Sequence, residues 1–257
     1  MGRHFTRTRG AGLGWGFCRI PALAKFLVCA LFYGDFPQLA QRCAASLRLL
    51  RGTGQVDMRI GLNEVSAATR AVIDSLLPGV ETVDATPQIY KFPMMRRLVH
   101  EYHGDATHMM WFDDDSCLQP GTHAASWLKS VAQRADNTSG TLGSVYTQRL
   151  SPAQQEWVRA QRWYTGREVP QDIVFNTGGW VVVPLALMRQ WDWPGPELQH
   201  NGGDMVLGAL AHQQGLPVEQ FRVGLAINAD PQLRESGAPR RGYSEPQSAI
   251  WFDLNGR

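Results

Sequence analysis

What the chain lacks narrows the field before anything it contains. Its 257 residues include only four cysteines, Cys18, Cys29, Cys43 and Cys117. They are scattered, with no Cys-x-x-Cys pair and no histidine spacing typical of zinc. Cys29 falls in an apolar run and Cys43 on an expected helix, so buried free thiols in a reducing compartment are predicted. No apolar stretch approaches the ~18 residues that cross a membrane. The run from Phe26 to Tyr33 is far shorter, and no small-residue cleavage site follows it. A soluble, intracellular (cytoplasmic) protein is therefore expected. Neither Gly-x-Ser-x-Gly nor Gly-x-x-x-x-Gly-Lys-Ser/Thr occurs, which removes the serine-hydrolase elbow and the P-loop. Acidic residues are missing from positions 1–25, which hold Arg3, Arg7, Arg9, Arg19 and Lys25. The glycine cluster between Gly10 and Gly16 fails the G-x-G-x-x-G spacing and follows no expected strand. Residues 1–24 read as a basic arm, a solvated tail by default, with phosphate contact as the alternative.

What is present is ordinary in bulk: 44% apolar, 19% charged and a formal net charge of +2. That composition suits a globular protein with a sizeable core. Nine tryptophans are many for this length, and several lie beside glycine or proline. Aromatic faces can stack on sugars or bases, but core and loop packing is the favoured explanation of any one of them.

From residue 25 onward the pattern is regular and reads as a single domain over 25–257. Phe26 to Tyr33 is continuously apolar, as in a strand buried on both faces of a parallel sheet. Pro37 opens a helix with Leu39, Cys43, Leu47 and Leu50 at helical spacing. A strand from Val56 to Leu62, a helix from Ser66 to Leu77 and a strand over Val80 to Val83 complete a βαβαβ unit. A helix over Phe92 to Tyr102 follows. The next strand ends Met109-Met110-Trp111-Phe112 and then Asp113-Asp114-Asp115. Strand alternation would aim Asp113 and Asp115 one way and Asp114 the other. Two such carboxylates suit a hard cation, Mg²⁺ or Mn²⁺, although an acidic turn capping the next helix explains them equally. Ser151-Pro152-Ala153-Gln154 opens a later helix by rule, running to about Trp163. Short strands at 173–175 and 180–183 flank Asn176-Thr177-Gly178-Gly179. Asn201-Gly202-Gly203-Asp204 leads into a helix over Met205 to Gln214. His100, His103 and His108 match no ligand spacing and are taken as structural.

This order of motifs resembles the glycosyltransferases of GT-A fold, and Trp111-Phe112-Asp113-Asp114-Asp115-Ser116 is similar to their Asp-x-Asp motif in the Fringe and β-1,3-galactosyltransferase type. The resemblance implies an α/β, Rossmann-like fold with a mainly parallel central sheet. It implies an inverting, metal-dependent transfer from a nucleotide sugar, UDP-linked in the first instance, to an acceptor hydroxyl. Asp113 and Asp115 would hold the Mn²⁺ or Mg²⁺. Asp113 or Asp114 would instead meet ribose or sugar hydroxyls. Asn176-Thr177-Gly178-Gly179-Trp180 resembles the donor-pocket segment, so Gly178, Gly179 and Trp180 would line it. Lys91, Arg96 and Arg97 would contact the donor, or form a solvated helix face. Gly203-Asp204-Met205-Val206-Leu207-Gly208 resembles the element whose aspartate is the base, which assigns Asp204; a dipole-stabilising helix start is the plainer role. No histidine follows His212 to complete a metal site, so Arg240 and Arg241 would neutralise phosphates or water would complete the coordination. The acceptor is open among a hydroxymethylated pyrimidine in phage-type DNA, a glycan and a protein. A metal-dependent nucleotidyltransferase or nuclease is the competing class.

Overall fold

A computed structural model describes residues 24–199, 202–229 and 233. The basic arm expected over 1–24 lies outside them apart from Ala24, as do Arg240 and Arg241. The four elements β1 (Phe26–Gly34), β2 (Val56–Val65), β3 (Glu81–Ala85) and β4 (His108–Asp113) form the parallel half of a sheet. β6 (Thr141–Arg149), β7 (Asp172–Pro184) and β8 (Val218–Gln220) extend it, giving the order β3-β2-β1-β4-β7-β6-β8. β7 runs antiparallel to both neighbours, while β6 and β8 are parallel. A separate ribbon pairs β5 (Cys117–Leu118) with β9 (Leu225–Ala226). The α/β sheet is thus mainly parallel, as expected.

The unbroken apolar run of β1 has a direct physical outcome. Leu27, Cys29 and Leu31 enter one core, and Phe26, Val28, Ala30 and Phe32 enter another on the opposite face. The first core is closed by α3 (Lys91–His100), α5 (Pro152–Arg159), α6 (Leu185–Trp191) and α7 (Gly203–Gln214). The second is closed by α1 (Pro37–Arg51), α2 (Ala67–Leu76) and α4 (Ala124–Asn137). Burial of each large apolar side chain stabilises this three-layer stack by roughly 1.5–3 kcal/mol. The ends of its helices are set locally. Ser151 and Gln154 form the expected reciprocal capping box at the start of α5, although that helix stops at Arg159 rather than near Trp163. Cys29, Cys43 and Cys117 are buried free thiols. No helix among the described residues is long and apolar enough to cross a membrane.

Two expectations need correction. The segments at 173–175 and 180–183 are one strand, β7, that passes through Asn176-Thr177-Gly178-Gly179 without turning. The glycines belong to the strand because other groups press against it there. The strand β4 ends at Asp113, and Asp114 and Asp115 lie in a turn closed by the Ser116 amide donating to the Asp113 carbonyl at 2.9 Å. Strand alternation therefore stops at Asp113 and does not set the directions of Asp114 and Asp115.

Candidate functional site

The parallel strands β1, β2 and β4 all finish at one edge of the sheet, and side chains gather there around Lys91. A lysine in the first turn of a helix meets the positive end of the helix dipole, so it needs negative partners. Lys91 is buried, and its Nζ lies 2.7 and 2.8 Å from the two carboxylate oxygens of Asp113. It also donates to the Gly178 carbonyl at 2.7 Å. Trp111, two residues before Asp113 and on the same face of β4, donates Nε1–H to Oδ1 at 2.7 Å. Its ring centroid stands 5.7 Å from the ammonium, within cation–π range. The loop that delivers Lys91 is fastened to the end of β2. The Asn63 side chain donates to the Ile89 carbonyl and accepts from the Ile89 amide at 2.8 Å. Glu64 accepts from the Gln88 amide at 3.2 Å.

Asp204 stands on the other side of Gly178, in the first turn of α7. Its Oδ1 accepts from the Met205 amide at 3.0 Å. Burial pushes its carboxyl above the usual carboxylate range, opposed by the Lys91 ammonium and by hydrogen bonds from the Met205, Asp204 and Gly178 amides. The result is a half-buried carboxylate held on one side and close to a cation, suited to accept a proton. A Cβ added at Gly178 would lie 2.8 Å from the Lys91 Nζ and 4.0 Å from Asp204 Oδ2. One at Gly179 would lie 2.5 Å from Asn228 Oδ1 and 2.7 Å from the Ile227 side chain. Both glycines are small because the site closes on them. Gly178→Ala is expected to push the Lys91 ammonium away from its present position and to lower stability, by less than Lys91→Met does, in chemical denaturation.

Asp114 and Asp115 are both buried. Burial, and then the Asp114 charge, push the thiol of Cys43 on α1 up. The Asp115 carbonyl accepts from the Ala229 amide at 3.0 Å and from Arg42 Nη2 at 3.3 Å, and Arg42 also donates to the Ala229 carbonyl at 3.0 Å. The Asn228 amide donates to Ser116 Oγ at 3.4 Å. The chain beyond residue 226 is thereby moored to the aspartate turn. Among the described residues no group of three or more His, Cys, Asp or Glu side chains gathers for a metal ion. Asp113, expected with Asp115 to hold the cation, is paired with the Lys91 ammonium. Asp115 is a buried carboxylate in the turn after β4, an oxygen donor of the kind a hard cation prefers.

No protein-family model matches the sequence, and no curated protein matches it. Solved structures do match the fold. The mannosyltransferase PcManGT from Pyrobaculum calidifontis superposes with a TM-score of 0.51 at 12% identity, over 78% of this chain and 55% of that one. TarS of S. aureus gives 0.50 at 13% identity, over 77% of this chain and 35% of that one. The fold is that of the GT-A glycosyltransferases. At such low identity the fold is what is shared, and this chain spans about half or less of either protein.

On this GT-A scaffold the remaining expected residues scatter. Arg96 pairs with Asp192 at 2.6 Å and donates to the Pro194 carbonyl at 2.8 Å. Arg97 reaches the Asp84 carbonyl at 3.4 Å and Glu101 at 3.9 Å. Both lie along α3 beyond its first turn, and neither joins Lys91. Trp180 does not line the site either. It is fully buried on the opposite face of the sheet, against Phe112, Trp127 and Phe221. The reason is register: Trp180 is cross-strand partner to Phe112, not to Trp111 or Asp113. Arg42, Asn63 and Asn228 were missed. Asn63 had a local signal, a polar side chain directly after the apolar stretch of β2. Arg42 and Asn228 had none, because their partners are distant in the chain.

Proposed function

We propose that this chain is an inverting glycosyltransferase that moves a sugar from a nucleoside-diphosphate sugar, UDP- or GDP-linked, to an acceptor hydroxyl. The observation that carries the reading is the convergence of Lys91, Asp113, Gly178 and Asp204 at the carboxyl edge of a GT-A sheet. In open α/β sheets that edge is where ligands bind. PcManGT, which shares the fold, is described in complex with GDP-Man and Mn²⁺. In the proposed reaction the acceptor oxygen attacks the anomeric carbon of the donor from the face opposite the diphosphate. Asp204 takes the hydroxyl proton as the new carbon–oxygen bond forms. The bond from the anomeric carbon to the diphosphate breaks, and the nucleoside diphosphate leaves with the electron pair. Lys91 fixes Asp113 and the Gly178 carbonyl, and its charge keeps Asp204 more acidic than burial alone would. A divalent cation held at Asp115 would supply Lewis-acid stabilisation of the departing diphosphate.

The test is thermal stabilisation by UDP- and GDP-sugars with and without Mn²⁺. A donor present at about a hundred times its Kd should raise the melting temperature by about 5–10 °C. Asp115→Ala should lose the Mn²⁺-dependent part of that rise, and Asp204→Ala should keep it. Equal loss in both variants would overturn the division of roles. The DNA version of the acceptor rested on the basic arm at 1–24, outside the described residues except for Ala24, and the cavity described next favours a different acceptor.

A further inference from the structure

A cavity of about 340 Å³ opens on the flank of α7. Small-molecule sites run from roughly 300 Å³ upward, so it has room for a compact ligand. Its lining joins three tryptophans, Trp163, Trp191 and Trp193, to Arg162, Asp192 and Glu197. Val206 and Leu210 close its inner side. They lie on α7, two and six residues beyond Asp204. Trp193 ties the cavity to that helix start: its Nε1 donates to the Gly203 carbonyl at 3.2 Å, and its ring packs edge-on to Phe92.

The chemistry of this lining is specific. A pyranose presents one face of polarised C–H bonds and a rim of hydroxyls that both donate and accept. The negative face of an aromatic ring suits the first, and charged donors and acceptors together suit the second. Trp163 is only partly buried and offers an aromatic surface at the mouth, braced by Trp157 at 6.1 Å between ring centroids. Arg162 and Asp192 are held in place by their ion pair at 2.8 Å, with Arg96 bracing Asp192 at 2.6 Å. Glu197 is exposed and forms no ion pair among the described residues. Trp191 is buried, and its Nε1–H finds no acceptor among the described residues.

We infer that this cavity is a carbohydrate site that binds a neutral pyranose unit of an oligosaccharide acceptor, one or more residues away from the hydroxyl presented to Asp204. Its role as an acceptor subsite rests on the transferase reading; its capacity to bind carbohydrate does not. The cavity lies along α7, whose first turn carries Asp204, and an extended chain is the ligand that would reach both. A lone monosaccharide would engage one or the other.

The experiment is a screen of neutral oligosaccharides on a glycan array, followed by tryptophan-fluorescence titration of the best binder. Wild type and Asp204→Asn should bind it alike. Trp163→Ala and Glu197→Gln should each weaken it, the former about tenfold, and should each reduce the acceleration of nucleoside-diphosphate release that the oligosaccharide causes, while release measured without acceptor stays as in wild type. Glu197→Gln is an exposed, isosteric change and keeps the test valid if Trp163→Ala fails to fold. No binding on the array, binding unaffected by both variants, or preferential binding of duplex DNA would overturn the inference. Glycan binding at these residues by a protein that cleaves no nucleotide sugar would leave the site standing and sink the transferase reading.

Discussion

Asp204→Asn is expected to lower kcat by about 10²–10⁴-fold, the usual range for loss of a positioned base, while leaving donor affinity unchanged. Asn keeps the shape of the side chain and can still accept from the Met205 amide, which reaches Oδ1 at 3.0 Å. It cannot take the proton. The same variant should be more stable than wild type at neutral pH. Burial raises the folded-state carboxyl above its ordinary value, beyond what Lys91 and the amides offset. Between the ordinary and the raised value the folded chain binds more protons than the unfolded chain, so stability falls as pH rises through that window. Above it the cost persists in wild type and is absent in Asp204→Asn. Activity runs the opposite way. The base works only when ionised, so kcat/KM should drop as pH falls through a value above the usual carboxylate range. A variant that loses donor binding and rate in equal proportion would show Asp204 to be a donor ligand instead.

Lys91→Met is expected to be the most damaging change to the site as a structure. Breaking a buried ion pair costs about 3–5 kcal/mol, because the surviving charge is left uncompensated. The loss here should fall at the low end, since Asp113 keeps 24% of its side chain exposed. Chemical denaturation measures it directly. Lys91→Met combined with Asp113→Asn should recover most of the lost stability, since neither charge is then stranded. Removing Lys91 also removes the cation that holds Asp204 down, so the acidic limb of the rate profile should move to higher pH. If the single and double variants are equally unstable, the pair is not what holds this edge of the sheet.

The layered fold was legible because its signals are local. The continuous apolar run of β1 needs two cores, and the alternation of βαβ elements in the first half leaves few topologies. The direction of β7 was not legible, because the Asn176–Gly179 stretch carries glycines of the kind that usually mark a turn. They are there for closeness: Lys91 Nζ would lie 2.8 Å from a Cβ at Gly178, a contact made by a residue far away in sequence. The aspartates illustrate the same divide. Their chemistry was readable as a run of three carboxylates, but their directions depend on a turn that begins after Asp113. Lys91 was found by its position ahead of the aspartates. The same reasoning gathered Arg96 and Arg97 with it, and α3 carries those two away toward Asp192 and Asp84.

The most direct measurement is release of nucleoside diphosphate from a panel of UDP- and GDP-sugars, with Mn²⁺ present and the anomeric configuration of the product read by NMR. The account predicts that wild type cleaves at least one donor with inversion, faster when an oligosaccharide is added, and that Asp204→Asn binds that donor without cleaving it. A wild-type protein that neither binds nor cleaves any nucleotide sugar, or one that yields product with retained configuration, would contradict it.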